Sequence, residues 1–130
     1  MACICEVIIY NGDHIAAIYK VLTRVNIDVR LVTPYAAVAS AGIDYYLIEY
    51  NNIRKHYPEI TAPLFIDCGP YPGYAMASLR AGAQHIYVDI KETRVLNAIR
   101  TMSEKLNVQV YTTNDRPKHQ VDLLSLQGTM

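Results

Sequence analysis

The apolar residues of this chain change period again and again, and that alternation limits the possible folds more than any other feature. Short runs rich in Val, Ile and Leu alternate with stretches in which apolar residues recur every three or four positions. Six runs read as strands: 4–10 (ICEVIIY), 28–32 (DVRLV), 44–50 (DYYLIEY), 63–68 (PLFIDC), 85–90 (HIYVDI) and 107–112 (NVQVYT). Between the first two, Asp13 can cap a helix along which Ile15, Ile18, Leu22 and Val25 form one apolar face. Pro72 suits the first turn of a helix that Gly82 can end in the left-handed conformation. A further helix over 92–106 carries the stripe Val95, Ile99, Met102 and Leu106, and shorter helices are expected at 35–41 and 52–57. Strands nearly solid with Val, Ile and Leu, alternating with helices, require a parallel sheet covered on both faces. The expected fold is therefore α/β: a three-layer Rossmann-like sandwich with a mostly parallel six-stranded sheet in the order 3-2-1-4-5-6 and helices on both faces.

A chain of 130 residues has room for one such domain, expected over 1–112, with 113–130 as a C-terminal tail docked by Val121, Leu123, Leu124 and Leu126. Twelve basic and twelve acidic side chains cancel, and basic stripes interleaved with aromatics are missing, so nucleic acid is not an expected partner. Charged residues, Asn and Pro interrupt every apolar run well short of the roughly 18 residues of a membrane span. The opening MACICEVIIY has neither a basic leader nor a small-residue cleavage site, which makes a cytoplasmic location the expectation. Of the three cysteines, Cys3 and Cys5 fall on one face of a strand and are expected to be reduced. His56, His85 and His119 are scattered, and no metal site is expected.

In the expected strand order the ends of the first and fourth strands adjoin where the winding reverses, and there they open a crevice. Two glycine-bearing turns occupy those ends: Tyr10-Asn11-Gly12-Asp13-His14 and Asp67-Cys68-Gly69-Pro70-Tyr71-Pro72-Gly73. Each precedes a helix whose free N–H groups can receive an anion. The candidate ligand-binding residues are Asn11, Gly12, Asp13, His14, Asp67, Cys68, Gly69, Gly73 and, ending the next strand, Asp89. Gly69 lets backbone approach a ligand, Gly73 lets the helix pack closely, and the two prolines stiffen the loop before binding. The same residues also make a tight strand-to-helix turn with no ligand at all, and carboxylates such as Asp67 and Asp89 commonly cap helices. A cysteine at a helix N-terminus can become a nucleophile, with His14 as its base. The phosphatase cysteine loop, however, needs an arginine six residues beyond Cys68, where this chain has Tyr74, and no catalytic residue is assigned.

Asp67-x-Gly69-x-x-Pro72-Gly73 resembles the DxGxxPG form of the first motif of S-adenosylmethionine-dependent methyltransferases, and the likeness extends over about residues 64–112. The resemblance implies a turn beside the methionine part of the cofactor and a ribose held by Asp89. Methyltransferases place a catalytic motif on a later strand. Its candidate here, Thr33-Pro34-Tyr35, precedes the glycine turn, which implies a circularly permuted arrangement. The stretch IDCGPYPGYAMASLRAG and the closing VDLL are also similar to a small class of uncharacterised bacterial α/β proteins, a likeness that implies no activity.

Eleven tyrosines, against one Phe and no Trp, suit half-buried surfaces and subunit contacts. Tyr46, Ile48 and Tyr50 would line one face of an edge strand, and an edge this apolar needs cover. A second copy of the chain, forming a homodimer, would supply it; helix 52–57 or the tail would do so equally well. Three functions follow from the sequence. One is a Rossmann-like module taking a nucleotide-like or anionic metabolite in the crevice. Another is a methyltransferase-like enzyme, permuted or degenerate, using S-adenosylmethionine. The last is a non-catalytic, homo-oligomeric interaction protein.

Overall fold

The computed structural model describes residues 4–37 and 42–123. Cys3, most of the helix expected at 35–41, and the docking residues Leu124 and Leu126 lie outside the described residues. The elements run β1 (Ile4–Ile8), α1 (Gly12–Leu22), β2 (Asp28–Val32), α2 (Ile43–Arg54), β3 (Leu64–Asp67), α3 (Pro72–Ala81), β4 (His85–Tyr87), α4 (Thr93–Lys105), β5 (Gln109–Tyr111) and β6 (His119–Asp122). The protein is α/β, a Rossmann-like sandwich in class, with a six-stranded all-parallel sheet.

The strand order is β5-β4-β3-β2-β1-β6, not 3-2-1-4-5-6. Two reassignments account for the difference. Residues 44–50 are helix α2 and not an edge strand, while the tail supplies β6, paired in parallel with β1 through Val7↔Val121. In α2 the residues Ile43, Tyr46, Leu47, Tyr50 and Ile53 all face the core, a spacing of three and four that the Tyr- and Ile-rich composition disguises. The edge-strand premise of a homodimer through Tyr46, Ile48 and Tyr50 is thereby corrected: Tyr46 is buried within its own chain, and Ile48 is exposed on a helix. Residues 119–122 are part of the sheet, so the domain does not end at 112.

Five strands taken in chain order with no reversal, linked by crossovers of one hand, put their connecting helices on one side of the sheet. Neighbouring helices accordingly touch in sequence, α1 on α2, α2 on α3 and α3 on α4. Ile15, Tyr19, Tyr46, Ala75, Leu79 and Ile99 from these helices meet one row of strand side chains, among them Val7, Leu31, Leu64, Ile66 and Ile86. Fully burying one such Ile or Leu contributes roughly 2 kcal/mol. The opposite row forms a second, smaller cluster of Val32, Phe65 and Tyr87, with Ile8 and Tyr111 against it and no helix residue in it. Helices on both faces were expected, but this face is crossed by the chain between β5 and β6, two strands at opposite edges of the sheet.

Local chemistry sets the helix ends. Asn11, not Asp13, caps α1: its Oδ1 accepts from the His14 N–H at 2.9 Å, and Asp13 falls in the first turn. Pro72 opens α3 and Gly82, at φ 97°, closes it in the left-handed conformation. The buried stripe of α4 centres on Ile99 and Ser103, with Val95 and Leu96 against the core, and leaves Met102 and Leu106 exposed. No helix among the described residues is long and apolar enough to cross a membrane.

Candidate functional site at the sheet rim

Because every strand is parallel, the two glycine turns lie at the same rim, beyond the C-terminal ends of β1 and β3. They are not neighbours, because β2 and its following turn, Thr33 to Ala37, run between them. Each turn therefore has its own surroundings.

The turn after β1 is filled from within. Gly12 is buried and its N–H donates to the Tyr45 hydroxyl at 3.3 Å, while a Cβ built on it would stand 2.1 Å from Glu49 Oε2 on α2. The glycine thus makes room for α2. His14 is also buried, and its Nδ1 accepts from the Tyr10 N–H at 3.1 Å with the two rings edge to face. Only Asp13 of this turn is exposed. The Tyr10 hydroxyl donates to Asp122 at 3.0 Å, which links the ends of β1 and β6.

The turn after β3 is bound tightly to its neighbours. Gly69, at φ 60°, donates its N–H to Asp67 Oδ1 at 3.0 Å and accepts from the Asp89 N–H at 2.9 Å. A Cβ at this position would lie 3.2 Å from the Ala36 Cβ and 3.3 Å from the Tyr35 ring, so the close approach that glycine permits is to the β2 turn. Thr33 reinforces the junction by accepting the Asp67 N–H at 2.9 Å, and the Ala36 N–H reaches the Asp67 carbonyl. Cys68 points away from the rim into the helix-side core, 3.4 Å from the Ser78 hydroxyl. Burial pushes its thiol up to about 11, so it is no nucleophile at neutral pH. Gly73 is exposed in the first turn of α3, with open space where a Cβ would be.

What the rim presents outward is aromatic and acidic. Tyr35 is 59% exposed and Tyr71 49%, on the β2 turn and at the N-cap of α3 respectively. The half-buried Asp89 follows β4. Desolvation, then the carboxylates of Asp89 and Asp67 and the Tyr71 phenol, raise the Tyr35 phenol above its ordinary value. These four residues share one neighbourhood. Of the sequence candidates, the fold brings Asp67, Gly69, Asp89 and the start of α3 together, and sets Asn11, Gly12, Asp13 and His14 apart from them.

Below this rim, on the face that carries no α-helix and only the 3-10 turn Thr113–Asp115, lies a charged cluster. Glu6 is completely buried on β1 and accepts from Arg116 at 2.7 Å and from Gln120 at 3.3 Å. Arg116 also pairs with Asp67 at 3.1 Å, with its guanidinium 4.3 Å from the centre of the Tyr87 ring. Burial raises the Asp67 carboxyl above its usual range, although Arg116 and the Gly69 N–H pull it down. Nearby, Arg30 donates to the Tyr87 hydroxyl at 3.0 Å and to the Asp115 carbonyl at 3.3 Å, and lies over the rings of Phe65 and Tyr111. Glu6 was legible as an anomaly, since a glutamate inside ICEVIIY demands a counter-charge. Nothing local marks Arg116 as that partner.

Among the described residues no group of three or more His, Cys, Asp or Glu could hold a metal ion. Set against protein-family models, curated proteins and solved structures, the chain matches none.

Proposed function

We propose that the protein binds a small nucleoside-bearing metabolite at the rim formed by the ends of β2, β3 and β4. The observation that carries this reading is the pairing of two solvent-facing rings, Tyr35 and Tyr71, with the Asp89 carboxylate around a rigid glycine turn. Tyrosine faces receive a flat base, and a carboxylate receives the two ribose hydroxyls. The Asp89 carboxylate repels an anion placed beside it, so any phosphate or carboxylate of the ligand would sit at the α3 N-terminus by Gly73.

A methyltransferase-like reading has one observation in its favour. Thr33-Pro34-Tyr35 ends the strand next to β3, and the Tyr35 ring abuts Gly69, which is the adjacency that the permuted arrangement needs.

A thermal-shift panel of adenosine, adenosine monophosphate, S-adenosylmethionine, its demethylated product and inorganic phosphate tests both readings. A bound member at a hundredfold excess over its dissociation constant stabilises the fold by about 2.7 kcal/mol. Asp89→Ala should weaken the adenosine compounds and leave phosphate unaffected. Stabilisation by S-adenosylmethionine and its product, but not by adenosine, would favour the methyltransferase-like reading. If no nucleoside compound raises the melting temperature, the rim reading fails.

A further inference from the structure

At the opposite end of the sheet, where the chain passes from α2 into β3, a cleft of about 620 Å³ is lined by Tyr19, Tyr50, Asn51, Arg54, Lys55 and Tyr57, among others. A recess of about 270 Å³ continues it, sharing Tyr50, Asn51, Arg54 and Pro63 and reaching the apolar side chains of Leu47 and Leu64. Volumes of this order are those of small-molecule sites.

The residues that line the cleft follow from the helical register of α2. Tyr50 and Arg54 are four apart, as are Asn51 and Lys55, so an aromatic ring, an amide and two cations share one helix face. Arg54 is set 5.4 Å from the centre of the Tyr50 ring, which limits where its guanidinium can go. Tyr19 is held by the donation of its hydroxyl to the Ala62 carbonyl at 3.2 Å, and Tyr57 stacks on it at 5.5 Å. The wall is stiff as well. Pro58 and Pro63 bracket it, and the N–H groups of His56, Tyr57 and Ile60 bond three residues back.

The charges decide the ligand. Neither the cleft nor its recess is lined by an aspartate or glutamate, and no ion pair of Arg54 or Lys55 is found among the described residues. Glu59 lies in an adjoining recess, beyond Pro58. One basic side chain is enough to balance the negative end of α2, and two are present here.

We infer that this cleft is a binding site for a planar aromatic carboxylate, the carboxylate gripped by Arg54 with Asn51 and Lys55 beside it and the ring laid against Tyr50 and Tyr57. Guanidinium and carboxylate match as a two-pronged pair, and offset ring contacts add to what area burial alone supplies. This site does not depend on the rim reading and shares no residue with it.

Indole-3-carboxylate is the probe, titrated into the isotope-labelled full chain and followed by amide chemical shifts. Saturable shifts are expected in residues 50–63, with cyclohexanecarboxylate and indole-3-carboxamide each binding at least about tenfold more weakly, a difference of about 1.4 kcal/mol. Arg54→Gln should abolish the shifts, and an unchanged amide spectrum elsewhere would show that the variant is folded. Tyr57→Leu should weaken the aromatic probe and leave cyclohexanecarboxylate as it was. Absence of saturable shifts up to low millimolar probe, equal binding of the saturated-ring analogue, or full binding by a folded Arg54→Gln variant would each overturn the inference.

Discussion

Arg116, just past the 3-10 turn in the segment that links β5 to β6, donates to Glu6 in the middle of the first strand at 2.7 Å, across 110 positions of sequence. The contact ties the segment that leads into β6 to the first strand and brings a cation to a carboxylate with no exposed surface. The same guanidinium serves Asp67, so two buried acids depend on one base.

Arg116→Ala should therefore be among the most damaging single changes in this protein. It would leave Glu6 and Asp67 buried without a counter-charge, at a cost of about 3 kcal/mol. That figure is the lower end of the usual range, because a quarter of the Arg116 side chain, 25%, remains in solvent. Urea unfolding gives the loss directly. Amide exchange should quicken first in 119–122, and Glu6→Gln combined with Arg116→Met should recover part of the stability, since no stranded Glu6 charge is then left behind.

Gly69→Val should destabilise the fold by about 1–3 kcal/mol, because φ 60° is costly for a β-branched residue and the new side chain meets Ala36 and Tyr35. Gly73→Ala, where nothing lies within 4 Å of the added carbon, should be neutral or slightly stabilising. Melting curves of the two variants compare a glycine that the turn requires with one that it does not.

Cys68 should resist alkylation in the folded protein at pH 8, since its thiol is buried and pushed up to about 11. Cys5, part-exposed on β1, should react before Cys68. Mass spectrometry of peptides after iodoacetamide treatment, with and without urea, separates the two; rapid labelling of Cys68 without urea would contradict the buried placement.

His85 predicts a loss of stability on mild acidification. Burial, and then Arg30, hold its imidazole below the ordinary 6.5, and its Nδ1 is buried with no partner. The unfolded chain then binds a proton that the folded chain refuses. Stability attributable to this group is whole above pH 6.5 and falls as pH drops from there to the folded value. Melting temperature against pH should show that decline in the wild type, and a shallower one in His85→Phe, which keeps a ring on Phe65.

Features whose cause lies within a few neighbouring residues could be read from the chain alone. The alternation of periods announced a parallel α/β sheet, Pro72 and Gly82 bounded α3, and the β-branched runs located β1 to β5 within a few residues, apart from the misread 44–50. That stretch shows the limit of local reading. Seven residues with three Tyr, a Leu and an Ile satisfy a strand and a helix alike, and only the core against which Ile43, Tyr46, Tyr50 and Ile53 pack selects the helix. The same holds for the candidate sites. The glycine turns were visible, but the tertiary structure set β2 between them, gave Gly69 to Tyr35 and Ala36, and assembled the Arg54 cleft on a helix that the sequence read in part as a strand. Strand order and the Glu6–Arg116 pair came from the fold alone, because each is settled by contacts between segments distant in sequence, on which a local residue pattern carries no information.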